Sequence, residues 1–209
     1  MKQISYLLIA LVLGFSACKN EKKETKSEAE SETVVVEKFV VKPEGTSVKW
    51  TAYKTTEKKP VSGVFKVLKF ENKEGASAQE ALNNLSFSIP VSSLFSNDAT
   101  NTRDAKIITS FFGAMLDTEF LKGTIKYAND KYVATLTMNG VTQDIPLTVN
   151  ITDERRVNMT GTMNLKDWNA LSALESLNKV CFDLHKGPDG VSKTWEDVAI
   201  EVNTFLRKS

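Results

Sequence analysis

The chain has 209 residues, with 27 Lys and Arg against 26 Asp and Glu. So even a balance gives no basic field for nucleic acid and no strongly basic surface for lipid headgroups. An apolar fraction of 41% suffices for one core, while a single histidine and two cysteines leave few parts for metal or triad chemistry.

The N-terminus comes first. Met1-Lys2-Gln3 carries one positive charge, residues 4–15 are uncharged, and the small Ser16-Ala17 precede Cys18. That order predicts a secretory signal over residues 1–17, cleaved between Ala17 and Cys18. Its apolar run of about 12 residues falls short of the ~20 that cross a bilayer as a helix. Phe15-Ser16-Ala17-Cys18 resembles the lipobox of bacterial lipoproteins, which implies diacylglyceryl on the Cys18 thiol and a membrane anchor of several acyl chains. Multiple chains hold stably where one is marginal. Lys19, in place of aspartate after the cysteine, leans toward the outer membrane, on its periplasmic side or at the cell surface. With Cys18 lipidated, Cys181 has no intramolecular partner, so the exported fold is expected to stand without a disulfide. Residues 18–33 read as the lipidated cysteine and a polar tether, because Lys, Glu, Ser and Thr without aromatics cannot offset their ordering entropy.

From residue 34 to 209 the period becomes that of strands. They are expected at 34–41, 47–54, 61–70, 85–90, 121–127, 132–138, 145–151, 156–165 and 195–205. Ile145, Leu147, Val149 and Ile151 alternate with Pro146, Thr148 and Asn150, and the neighbouring runs alternate likewise. One apolar and one Thr/Asn-rich face mark an antiparallel sheet wet on one side. Asn129-Asp130 and Asn139-Gly140 supply tight hairpin turns. Short turns between sequential strands argue a meander, and closure into a barrel of about eight strands removes exposed edges. In 61–70, Val64, Phe65, Val67 and Leu68 occupy both faces, leaving the inward one open.

Three helical insertions interrupt the strands. Ser77-Ala78-Gln79-Glu80 is a capping box. Asn101 or Thr102 is expected to cap a helix with Ile107, Ile108, Phe111, Phe112 and Met115 on one stripe. A third spans 169–185, with Leu171, Leu174, Leu177, Cys181 and Leu184 at helical spacing, ending at His185-Lys186-Gly187-Pro188. All three are expected to cap or flank the barrel.

Val48-Lys49-Trp50, Val61-Ser62-Gly63-Val64-Phe65, Ile89-Pro90-Val91-Ser92-Ser93-Leu94, Arg103-Asp104 with Phe111-Phe112, Leu136-Thr137-Met138-Asn139-Gly140-Val141-Thr142 and Asp197-Val198-Ala199-Ile200-Glu201-Val202 stand in this order. Together they resemble the YceI-like family, and the lipobox and tether resemble its Bacteroidetes-type lipoprotein branch. The resemblance implies a mainly β, antiparallel up-and-down lipocalin-like barrel with two or three helical insertions. It also implies an apolar lumen and an isoprenoid or fatty-acyl-like small molecule as partner. Trp50, Phe65, Phe87, Leu136, Leu147 and Met159 are the candidate lumen residues. Core packing among themselves is the competing role for each.

Catalytic and metal sites are not expected, nor is a cofactor. The sequence lacks a Gly-x-Ser-x-Gly elbow, a His-Glu-x-x-His helix and a phosphate-cradling glycine loop. Cys181 and His185, four apart, have no further ligands with fitting spacing and read as structural. Arg103-Asp104 and Asp117-x-Glu119 read as cap and loop charges. Two functions remain open: a tethered envelope protein holding an apolar ligand, and a ligand-free envelope stress or interaction module acting through its surface.

Overall fold

Strand β2 (Thr46–Lys54) begins a meander that a computed structural model describes over residues 37–208. The predicted signal, the Ala17–Cys18 cleavage point and the tether lie outside the described residues. Eight runs follow one another around a ring. After β2 come β3 (Lys59–Phe65) with β4 (Lys69–Phe70), then β6 (Leu85–Pro90) with β7 (Leu94–Phe95). The hairpins β8 (Phe120–Ala128), β9 (Lys131–Met138), β10 (Val141–Thr152) and β11 (Arg156–Asn164) continue it, and β12 (Asp197–Phe205) returns to β2. All neighbours are antiparallel. The ten-stranded order runs β4-β6-β8-β9-β10-β11-β12-β2-β3-β7, and both of its edges belong to the same two chain segments.

Those segments close the curled sheet. Val64 and Phe65 pair with Phe95 and Leu94, whereas Lys69 and Phe70 pair with Ser88 and Phe87. Between them the register slips by two residues, and the 3₁₀ turn Val91–Ser93 takes up the excess. Lys66 N–H donates to Ser93 O across the break (2.9 Å). The slip also settles the open face of 61–70. Phe65 is buried, Val67 is exposed, and Leu68 is buried again. A bulge moves the alternation by one residue, so no single period fits the whole run. The predicted single strand is therefore two short ones.

The other strands lie within a few residues of expectation, except at the termini. Within the described residues, the expected 34–41 strand holds pairing only over β1 (Phe39–Val40), and the last begins at Asp197 rather than at 195. Asn129 and Asp130 have φ of 52° and 58°, and Asn139 and Gly140 of 53° and 69°. Both central residues are thus left-handed, as the twist of a two-residue hairpin requires.

One end of the barrel is plugged by a small sheet of β13 (Arg207–Lys208), β1 and β5 (Glu74–Gly75), and by helix α1 (Ala78–Leu82). Ser77 Oγ accepts from Glu80 N–H (3.2 Å), and Glu80 Oε2 accepts from Ala76 N–H (2.9 Å). The capping box thus reaches one residue further back than its usual form. Leu82, Leu85 and Leu206 bury completely against Phe39 and Met159 there.

Two helical segments cover the other end, both differing from expectation. Helix α2 (Arg103–Lys106) runs into a π-helical turn (Ile107–Phe111) and a 3₁₀ turn (Phe112–Ala114). Thr102 stands at the N-cap as expected, but its side chain makes no capping hydrogen bond. Asp98 accepts from the N–H groups of Thr102 and Arg103 and pairs with the Arg103 guanidinium at 3.4 Å. The Thr100 hydroxyl, followed by those N–H groups, holds the Asp98 carboxyl below its usual range. Helix α3 (Leu171–Val180) stops well before 185. Leu184, placed on its apolar stripe by spacing, is 57% exposed, because the chain leaves the helix at Cys181 and turns through Asp183–His185.

Candidate functional site

Alternation sends one apolar side chain in two into the ring, and small residues keep that space from filling. Gly63 lies opposite Trp50, where an added Cβ would stand 2.4 Å from the indole; Gly123 lies opposite Phe87, where it would meet the ring at the same distance. Each large aromatic thus lies back over a glycine on the neighbouring strand, flat along the wall. What remains is an apolar cavity of about 210 Å³. Apolar cavities of ~150 Å³ already stay dry and take up benzene.

The structure places Trp50, Phe65, Phe87, Leu136, Leu147 and Met159 all on the wall of this lumen. They line it without filling it. Ala52 and Ala134 add short positions to the same wall, and Leu82 and Leu85 form its floor. The lid contributes Ile107, Phe111 and Phe112 from the α2 segment and Leu174 and Leu177 from α3. Phe111 and Phe112 meet edge to face, with centroids 5.1 Å apart. The lid residues stood out in the sequence only as apolar stripes on helices that cap or flank the barrel. Periodicity says which face is buried, not whether the space beneath is filled.

Polar groups in the lumen are few. Trp50 is 7% exposed, and its indole N–H has no acceptor among the described residues. At the lid end, Thr194 and Trp195 reach the wall. Trp195 donates its N–H to Thr55 O at 2.7 Å. Thr194 Oγ1 donates to Asn178 Oδ1 (2.8 Å) and so has no proton left for His185, 2.7 Å away. His185 Nδ1 must therefore be the donor, which leaves Nε2 with its lone pair. Burial, with Lys54 and Lys106 nearby, pulls the His185 pKa down from 6.5 to about 4.

Cys181 is buried as well, and burial pushes its thiol up. Both residues serve as packing and hydrogen-bonding parts of the lid, and no cluster of three or more metal-ligating side chains occurs among the described residues. Arg103 and Asp104 are likewise structural: Asp104 accepts from the Ser96 N–H and hydroxyl. His185 is the single histidine of the chain, so its ring protons give one NMR titration, expected to have its midpoint near 4. Unfolding frees the imidazole to protonate near 6.5, so stability is expected to fall as pH drops from 6.5 toward 4. A midpoint above 6 would remove this coupling.

A family model described as the YceI-like domain matches residues 39–205, which is the whole ring with its lid and the plug up to β13. The chain belongs to the YceI-like family. Several solved structures resemble its YceI-like domain, and two illustrate the likeness. One, with a TM-score of 0.59 and 12% identity, is a polyisoprenoid binding domain from Saccharophagus degradans implicated in plant cell wall breakdown; the match covers 83% of this chain and 99% of that one. The other is BcnA of Burkholderia cenocepacia, at a TM-score of 0.50 and 18% identity, with coverage of 79% and 98%. At such identities the likeness speaks for the YceI-like fold alone. No curated protein matches the chain.

Proposed function

We propose that the protein is a lipid-anchored envelope protein of the lipoprotein branch of its family, whose barrel holds an isoprenoid or another long apolar chain. The lumen of about 210 Å³ carries this reading, because its wall is apolar from floor to lid. Such a wall gains ~25 cal/mol for each Å² of apolar ligand surface it takes from water, with no need for charged contacts. The polyisoprenoid-binding neighbour from Saccharophagus degradans supports the ligand class. Carriage or buffering, not catalysis, fits walls of Leu, Ile, Val, Phe and Met.

The anchor is proposed at Cys18, with attachment to the outer membrane on its periplasmic side or at the cell surface. Metabolic labelling with palmitate tests it: label is expected on the native chain and absent from Cys18→Ala. The lumen is tested by solvent extraction of purified protein and mass spectrometry of the extract. A stoichiometric isoprenoid or acyl lipid is expected, and its absence after expression in several hosts would sink the ligand-holding role.

One observation favours the second reading, an interaction module acting through its surface. Val180, Phe182, Leu184 and Val191 are each about half exposed. They follow one another from the end of α3 through the turn Asp183–His185 to a short hairpin, closed where Gly187 N–H donates to Val191 O (2.9 Å). A protein recovered without lipid, but with a partner lost on Phe182→Ser, would support that reading.

A further inference from the structure

The three tryptophans differ in one respect. Trp168 donates its indole N–H to Leu136 O at 3.0 Å, and Trp195 donates to Thr55 O at 2.7 Å. Trp50, which lies on the lumen wall, donates to nothing among the described residues. Buried indole N–H groups ordinarily find a partner, and one left without any costs about 1–3 kcal/mol. Nor is Trp50 loosely placed. Gly63 opposite leaves room only for the ring lying against it, and the residue pairs with Gly63 on one side and Ile200 on the other.

A buried water is a poor answer, since it needs two to four polar partners. The wall around Trp50 offers Val48 and Ala52 along its own strand, with Phe65 and Ile200 beside it. No carbonyl among the described residues accepts from the indole N–H. We infer that Trp50 is a specificity-determining residue, whose indole N–H donates to an oxygen acceptor on the lumen's ligand. This rests on the ligand-holding reading and narrows its chemistry. The ligand is an apolar chain bearing a carbonyl, ester, ether or hydroxyl oxygen, not a pure hydrocarbon. Trp50 is the fifth of nine residues in β2, so the oxygen seats about halfway along the barrel, with hydrocarbon above and below it.

The experiment compares isoprenoid ketones of one chain length, carrying the carbonyl at different positions, with the hydrocarbon in which a methylene replaces it. Delipidated full chain and its Trp50→Phe variant are titrated with each. For the native chain the best ketone is expected to bind about tenfold tighter than the hydrocarbon, as befits one neutral hydrogen bond in an apolar site. In Trp50→Phe that ratio is expected to collapse to about one, whatever the change in apolar contact does to both probes alike. A second readout needs no variant. The Trp50 indole proton is expected to move downfield with the ketone and to stay with the hydrocarbon, while those of Trp168 and Trp195 hold still.

Equal binding of ketone and hydrocarbon to the native chain, with a stationary indole proton, overturns the inference and leaves the lumen reading standing. So does a Trp50 proton already hydrogen-bonded to water in the ligand-free protein. If neither probe enters the native chain, the inference falls together with the reading it rests on.

Discussion

Trp168→Ala is expected to lower stability by about 3–5 kcal/mol, the range for truncating a buried tryptophan. Trp168 is 1% exposed at the end of the turn Leu165–Trp168, and it is packed among Leu165, Ala170 and Ala173. Its N–H holds Leu136 O of β9, and its own carbonyl accepts from Asn139 Nδ2 at 3.0 Å. Asn139 Nδ2 also reaches Asn169 O, and its Oδ1 accepts from Leu116 N–H. The indole N–H therefore ties the turn before α3 to β9, while the main-chain carbonyl ties it to the Asn139-Gly140 hairpin. Truncation opens a cavity there and removes the tie to β9. For a domain of this size the midpoint of thermal unfolding should drop by roughly 6–20 °C. Trp168→Phe keeps one six-membered ring but loses the pyrrole part with its N–H, so a smaller loss of about 1–3 kcal/mol is expected from it. Urea titration checks both, with the slope unchanged and the midpoint lowered. A loss under 1 kcal/mol for Trp168→Ala would mean that the lid is not part of the cooperative core.

That pinning was not legible in the sequence, whereas the ring it is pinned to was. The strands between 132 and 163 alternate over most of their length, since each has one face to the lumen and one to water. Ile145 and Leu147 are inward while Thr135 and Asp144 hydrogen-bond outside. Such a pattern survives any tertiary arrangement that keeps one face dry. The residues 61–70 defied it because two inward runs, ending at Phe65 and resuming at Leu68, are joined out of phase. The helix ends failed for a different reason. Asp98 caps α2 from four residues before Thr102, a distance set by the loop and not by the local motif. Leu184 kept helical spacing after the helix had ended, since spacing cannot register the turn that docks His185 on Thr194. The lumen was least legible of all. Leu147 or Met159 looks the same in sequence whether it faces a partner or an empty volume, and the difference lies in Gly63 and Gly123, which matter only across the strand pairs they form.

Filling that volume gives the other large effect. Ala134 faces the lumen from β9 and pairs with Ile125 and Ile145. Ala134→Phe adds a phenyl ring, and a cavity of about 210 Å³ exceeds the ~150 Å³ that admits benzene. The ring thus enters existing space, and the delipidated variant is expected to match the native chain or gain about 0.5–2 kcal/mol by burying the ring. The ligand competes for the same space. If the ring denies it about 100 Å² of apolar contact, binding weakens by about 2.5 kcal/mol, near a hundredfold in Kd. Thr135→Phe is the control, one residue along and on the outer face, where the Thr135 hydroxyl bonds Asp144 at 2.6 Å. It should leave binding intact while losing that surface bond. Ala134→Phe therefore weakens binding without loss of stability, whereas Thr135→Phe loses a surface bond and no affinity, a pattern that no general loosening of the fold would give. Copurified lipid, measured by mass spectrometry, should vanish from Ala134→Phe and persist in Thr135→Phe. Equal lipid in both would place the ligand outside the barrel, and the half-exposed segment around Phe182, just beyond α3, would then be the surface to examine.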